Sequence, residues 1–346
     1  MQIIENKINE LKNVSFKLKQ TKNTDEYSKL NEKLKNIVKG LKQEVITKFK
    51  DESDIKHFLD NIAKFNNYSA NNQCLIWLQR PEAEYVNSFR KYKELGYHVK
   101  KGAKGIAVLV PNFFTIVKIT DIDGNISYCP YYKLTENEIK IYKDKADNSI
   151  EFYSKKLSGF SVGYVFDIKD TDMPKNVLNE LNPIVNDKGA EEVIGFFIKA
   201  IYRDGFKVKF DNIVRAKGYC DHQNNLIVVK SGLGSLMSLK VLIHEYAHAL
   251  AHKHLKNNNK DYEDNRNQYE TEAEAIAYTV SRYLGLPTME YSLDYLYSWS
   301  KQKDFKEIDE SFTTIINYSN RIIRNFTSFY SRELDLDIYG VKFNNI

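Results

Sequence analysis

Cysteine is scarce in this 346-residue chain. Cys74, Cys129 and Cys220 are odd in number, far apart, and never spaced as a Cys-x-x-Cys pair. That argues against a disulfide framework and fits a reducing compartment, so a cytoplasmic protein is expected. No run of about 18 apolar residues occurs, so no transmembrane helix and no membrane partner are expected. The opening residues, Met-Gln-Ile-Ile-Glu-Asn-Lys, lack the apolar core of a secretory signal. Internal repeats and low-complexity tracts are absent too. Neither sign of charge dominates: the formal net charge of +5 permits an anionic partner without requiring one.

The length suffices for two domains with their own cores. Residues 1–50 are rich in Lys, Asn and Glu. Leu30, Leu34, Val38 and Leu41 recur at helical spacing, which predicts one or two amphipathic helices with a charged outer face. A helix is expected through Ile55, Phe58, Leu59, Ile62 and Phe65, another over 74–79, and a third over 86–95, stopped by Gly96. Residues 113–119 and 126–132 flank Asp121-Ile122-Asp123-Gly124-Asn125, a hairpin signal. Residues 133–156 are charged and give no clear pattern, and 162–168 read as a strand. A polar stretch over 176–186 reads as a linker. After a helix over 190–203, three short segments, 206–210, 214–220 and 226–230, alternate like antiparallel strands.

The chemistry concentrates further on. Residues 239–255 form an apolar-periodic run containing His244-Glu245-Tyr246-Ala247-His248, and four of the seven histidines fall between 244 and 254. On a helix His244 and His248 leave one face a turn apart, so both imidazoles can hold one Zn²⁺. Glu245 beside them can take a proton from a metal-bound water. His252 continues the face, but two turns from His244 is about 12 Å of rise, too far for both to reach one ion. His252 and His254 are therefore read as rim or structural histidines. A polar loop is expected over 256–267, then a helix over 269–284 bearing Glu270, Glu272 and Glu274. Packed against the first, it can place Glu270 on the metal, with Glu272 or Glu274 as the other choices. Glu274, one turn on, can accept the free ring N–H of a ligand histidine. Glu272 is expected to point elsewhere. Segment 226–230 is a candidate to pair with an extended peptide substrate.

Residues 67–106 mix rings (Tyr68, Trp77, Tyr85, Phe89, Tyr92, Tyr97) with cations (Arg80, Arg90, Lys91, Lys93, Lys100, Lys101, Lys104). Such a mixture suits single-stranded nucleic acid, cations tracking phosphates and rings stacking on bases. Asn67, Asn71, Asn72 and Gln73 can hydrogen-bond base edges.

At these residues a family enters. Asn67-Tyr68-Ser69-Ala70-Asn71-Asn72-Gln73, Gln79-x-Pro81-x-Ala83 and Val99-Lys100-Lys101-Gly102-x-Lys104-Gly105-Ile106 resemble the N-terminal single-stranded-DNA-binding domain of ArdC-type antirestriction proteins. Val165-Phe166-Asp167-Ile168 is similar to that domain's closing strand. Ile243-His244-Glu245-x-x-His248-Ala249 and Glu270-x-Glu272-Ala273-Glu274-Ala275 resemble the zincin-like metallopeptidase domain that accompanies it in plasmids, conjugative elements and phages. The ImmA/IrrE peptidases share a Glu-x-x-Ala pattern whose first Glu binds zinc; carried over, that residue is Glu270. The resemblance implies DNA contacts from Asn67, Tyr68, Ser69, Asn72, Gln73, Arg90, Lys91, Lys100, Lys101 and Lys104. Tyr92 departs from the family, which commonly has Trp there. Residues 1–45 are outside the resemblance.

The expectation is thus a two-domain α+β protein, an α/β DNA-binding-like domain followed by a zincin-like domain with a small antiparallel sheet. The expected segments are 1–50 (charged helical), 51–174 (DNA-binding), 175–189 (linker) and 190–346 (metallopeptidase). Its cofactor would be Zn²⁺, its catalytic base Glu245, its metal ligands His244, His248 and Glu270 with Glu274 behind them. Its partners would be single-stranded DNA and a protein or peptide. The rivals are a non-catalytic strand-coating protein with structural zinc, and a repressor-cleaving peptidase that binds no DNA.

Overall fold

The computed structural model describes residues 2–21, 24–120, 124–144, 149–180, 187–254, 259–289, 291 and 293–333. The expected turn at 121–123 and part of the expected linker, 181–186, lie outside these residues. By internal contacts the chain forms two compact units, one of residues 1–39 and 107–163, the other of 40–106 and 164–346.

The first unit contains α1 (Gln2–Gln20), the first part of α2 (Thr24–Thr47), most of β2 (Ile106–Thr120), β3 (Ile126–Pro130), α6 (Glu136–Asp144) and most of β4 (Ser149–Asp167). Helix α1 buries Ile4, Ile8, Leu11, Val14 and Leu18, spaced three or four apart, so one apolar stripe faces inward. Of the one or two helices expected in the N-terminal segment, two are present. Ser15, buried on that stripe, accepts a hydrogen bond from the Val162 N–H at 2.7 Å. The hairpin β2–β3 is antiparallel, with Ile116 opposite Pro130 and Thr120 opposite Ile126, and β4 is the other neighbour of β2.

The second unit carries α3 (Glu52–Lys64), α4 (Ala70–Gln79), β1 (Val86–Ser88), α5 (Phe89–Glu94), α7 (Asp187–Arg203), β5 (Lys207–Asp211), β6 (Gly218–Asp221), β7 (Leu226–Lys230), α8 (Ser235–Ala251), α9 (Asn259–Tyr283), α10 (Asp294–Gln302) and α11 (Phe305–Glu333). Asp51 caps α3 by accepting from the Ser53 and Asp54 N–H groups. The expected helix over 86–95 starts only at Phe89. Val86–Ser88 instead pairs antiparallel with the end of β4, and Ser88 caps α5 by accepting from the Lys91 N–H. Strand β7 is central in a three-stranded sheet of order β5-β7-β6. Its pairing with β6 is antiparallel, as the alternation suggested, but its pairing with β5 is parallel. Helix α7, between β4 and β5 in the chain, buries Phe196, Phe197 and Ala200 against α8 and α11. The polar stretch read as a loop is partly helical: α9 begins at Asn259 and kinks at Asn265, where the backbone leaves helical geometry.

The core of this unit includes an aromatic cluster. Phe49 packs on Phe58 at 5.6 Å between ring centroids and on Phe312 at 5.5 Å, and Phe58 meets Trp77 edge-on at 5.4 Å. Helix α3 packs on α9, and Asp60 joins them by accepting from the Tyr278 hydroxyl at 2.9 Å and pairing with Arg282 at 2.7 Å. Residues 51–106 of the expected DNA-binding segment therefore share one unit with the metal-motif helices. Because Phe49 is only 1% exposed and touches three rings, Phe49→Ala should lower unfolding free energy by about 3–5 kcal/mol in a denaturant titration.

Candidate metal centre and nucleic-acid surface

Helix α8 is apolar nearly all round because α7, α9, α11 and the β6–β7 edge of the sheet pack on it. Helices α8 and α9 pack on one another, and Ala247 of α8 and Ala273 and Ala277 of α9 are fully buried. The Glu270–Glu274 face of α9 is thereby aimed at the His244–His248 face of α8. His244 Nε2 and His248 Nε2 lie 3.2 Å apart, and Glu270 Oε2 is 3.6 Å from the first and 3.4 Å from the second. Bonds of about 2.0–2.1 Å to one tetrahedral ion put donor atoms about 3.3 Å apart. The triangle has that size, and its donor set of two imidazoles and a carboxylate fits a divalent metal. Glu274 Oε2 is 3.4 Å from His244 Nδ1, on the far side of the ring from the triangle.

Burial and neighbouring charges shape the site before any ion enters. Burial pushes the Glu245 carboxyl up to about 7; His244 opposes the shift and Glu270 adds to it. Burial works against charge on His244, but Glu270 and Glu274 outweigh it and raise it to about 10. His248 goes the other way, to about 4: burial dominates, and His244 and His252 add to it against the pull of Glu270. Two pockets open around His244. One, of about 410 Å³, is lined by Lys217, Gly218, Lys240, Val241, His244 and Glu245 among others. The other, of about 240 Å³, is lined by Asn267, Glu270, Thr271, Glu274, Leu293 and Leu296 beside His244.

Sequence reasoning missed three features here. First, β7 cannot receive a substrate strand, because both its edges are already paired. An outer strand, β6, is the one that reaches the pocket, with its first residue Gly218 in the lining. Second, Gly218 at the start of β6 is required by close approach: a Cβ there would sit 2.5 Å from Val241 Cγ1 and 3.0 Å from Glu245 Oε1. A glycine inside a short strand was the available signal. Third, Glu272 points away from the triangle as expected, but into the protein rather than solvent: it is buried beside His252, with Oε2 3.1 Å from His252 Nε2. His252 in turn lies behind His248.

The expected DNA contacts divide by exposure. Asn67 and Ser69 are exposed, and Ser69 also caps α4. Arg90 is exposed beside Glu94, and Lys100, Lys101 and Lys104 are exposed on a loop turned by Gly102 at φ +85°. That loop is held at Val99 by a bridge to Thr171 and at Lys100 by its N–H to Asp170 O at 2.8 Å. Lys91 is half-buried, as is Tyr68, whose hydroxyl donates to Val86 O. Asn72 is buried. Gln73 is a correction: it has no exposed surface, and its amide N–H groups go to Phe65 O, Tyr68 O and Asn320 Oδ1, so it offers no edge to a base. Tyr92 and Trp77 are core residues too. The Tyr92 hydroxyl donates to Tyr85 O and Phe166 O. Exposed rings of this unit near these cations in sequence or fold are Phe89 and Tyr164, the latter lying over Gly105.

Residues 24–160 match the N-terminal domain of anti-restriction factor ArdC, and residues 206–313 match the IrrE N-terminal-like domain. An uncharacterised protein of Bacillus anthracis is 28% identical over 317 residues, which are 85% of this chain and 51% of that protein. The chain thus spans about half the length of this curated relative. Among solved structures, it is similar to the metal-free antirestriction protein ArdC of plasmid R388, at 19% identity and a TM-score of 0.42, over 76% of this chain and 86% of that one. The Mn(II)-bound form of the same protein gives 20% identity and 0.42, over 76% and 88%. The chain is an α+β protein in which the match to the ArdC N-terminal domain precedes the match to the IrrE N-terminal-like domain. No helix among the described residues is long and apolar enough to cross a membrane.

Gly218→Ala tests the close approach of β6 to α8. It should cost about 1–3 kcal/mol of stability, since the nearest atom belongs to a buried valine with little room to move.

Proposed function

We propose that this chain is a zinc-dependent peptidase that also binds single-stranded DNA, acting for a mobile element in the protection of DNA. The observation that carries the catalytic half is Glu245. Its carboxyl is buried, lies on the same helix as the two histidines, and borders the pocket next to the β6 edge. A purely structural metal site has no use for such a group beside its ligands.

Two imidazoles, the His244 proton being displaced on binding, and one carboxylate favour Zn²⁺ among the common divalent ions. When bound, the ion would supply Lewis acidity to a peptide carbonyl and acidify a water. His244, His248 and Glu270 would hold it. Glu245 would accept the proton of the attacking water and pass it to the leaving amine, the burial that raises its basicity suiting both transfers. An extended substrate would add to the outer edge of β6, exchanging backbone hydrogen bonds, with its side chains entering the pocket by Lys217 and Lys240.

Support for DNA binding comes from the exposed Arg90, Lys100, Lys101 and Lys104 with Phe89 and Tyr164, and from the ArdC-type domain match. Lys100 and Lys101 are the phosphate-tracking positions in this reading, with Asn67 and Ser69 beside the strand.

Glu245→Gln should retain one bound metal and the wild-type fold while losing proteolysis in a proteome-wide cleavage screen. Cleavage equal to wild type would overturn the mechanism. Replacing Lys100 and Lys101 together by alanine should weaken single-strand binding and flatten its log–log salt dependence by about 0.7 per lost phosphate contact. An unchanged slope in salt-titrated filter binding would remove both lysines from the interface.

A further inference from the structure

Behind the metal triangle runs a buried file of polar groups that the proposed mechanism does not use. His248 Nδ1 is 3.1 Å from His252 Nδ1. His252 Nε2 is 3.1 Å from Glu272 Oε2. The other Glu272 oxygen accepts from Gln268 Nε2 at 3.0 Å and from the Ser311 hydroxyl. His252, Glu272 and Ser311 are 0%, 4% and 0% exposed. Three helices build the file: His248 lies on α8 with His252 as its C-cap, Gln268 and Glu272 are a turn apart on α9, and Ser311 comes from α11.

The donor and acceptor roles follow from the far end. Gln268 and Ser311 can both donate to one Glu272 oxygen, and His252 Nε2–H can donate to the other. With its proton on Nε2, His252 presents an Nδ1 lone pair that can accept from His248 Nδ1–H. His248 is left with its Nε2 lone pair directed at Glu270 Oε2 and His244 Nε2, into the triangle. The opposite tautomer of His248 would place a proton where a metal bond is needed and two lone pairs against each other at 3.1 Å.

We propose that His252 and Glu272 are positioning residues that lock His248 in its Nδ1–H tautomer and so set the affinity of the site for its metal. The proposal rests on the reading of His244, His248 and Glu270 as a metal site. A carboxylate reaching a ligand histidine through a second histidine does what a direct carboxylate partner does: it fixes ring orientation and raises ligand basicity. Glu274 serves His244 in the direct way, so each ligand histidine has its own anion on the ring nitrogen away from the ion. The chain Glu272–His252–His248 also explains why a histidine two turns beyond His244 is buried against an acid rather than exposed on the rim.

The test is zinc affinity by competition with a chromophoric chelator, with the melting temperature of the metal-free protein measured alongside. His252→Phe fills the space but neither donates nor accepts. Its zinc affinity should fall about 10–100-fold. His252→Gln, whose amide oxygen can accept from His248 while its nitrogen donates to Glu272, should recover most of that loss. Equal affinity in wild type and His252→Phe would overturn the relay, and so would equal losses in the Phe and Gln variants. A wild type that binds no zinc would instead remove the metal reading itself, and the relay with it. A second measurement needs no substitution. In ¹⁵N spectra of the metal-free full-length protein, His248 should be protonated at Nδ1 and bare at Nε2, and a proton on Nε2 would overturn the assignment.

Discussion

The contact between α8 and α9 is the constraint on which the site depends. Neither helix makes a site alone. Helix α8 supplies two imidazoles and Glu245 but no negative ligand; α9 supplies carboxylates but no nitrogen. The sheet, α7, α9 and α11 close around α8 so that Glu245 and His248 are withdrawn from water. That withdrawal shifts both groups. Burial raises the Glu245 carboxyl to about 7. His248 is kept neutral for the same reason and is thereby able to donate a lone pair.

Much of this was legible in the sequence, for a reason particular to helices. His244 with His248 and Glu270 with Glu274 are fixed by the four-residue period, so once two helices are recognised only their facing remains to be settled. The fold class followed in the same way from local patterns. What was not legible depended on partners distant in sequence. Glu272 seemed turned away because residues two apart lie on opposite sides of a helix. That side is not solvent, because Ser311 of α11 and His252 at the end of α8 meet Glu272 there. Strand β7 looked available because alternation shows which faces are buried and says nothing of how many edges are paired. Gln73, Tyr92 and Trp77 have the chemistry of nucleic-acid contacts, but composition does not distinguish a ring or amide on a surface from one in a core. Val86–Ser88 reads as helix locally and becomes a strand only because β4 is there to pair with it.

The grouping of residues 40–106 with 164–346 bears on how the two proposed activities relate. The cationic loop at 100–104 is pinned to residues 170–172, and α3 is tied to α9 through Asp60. The surface that would hold a strand of DNA and the helices that would hold a metal therefore belong to one compact unit. Its shared core includes Phe49, Phe58, Trp77 and Phe312. Damage to that core would be felt by both sites, which is why point changes at Glu245 and at the lysine loop are needed to separate them.

The central claim is that one ion is held by His244, His248 and Glu270. An anomalous-difference map from crystals grown with zinc, recorded on both sides of the zinc absorption edge, tests it most directly. The account predicts a single strong peak in this unit, bonded to His244 Nε2, His248 Nε2 and a Glu270 oxygen, with Glu245 close by but not bonded. A peak ligated instead by His252 or Glu272, or no peak within bonding distance of His244 and His248, would contradict it.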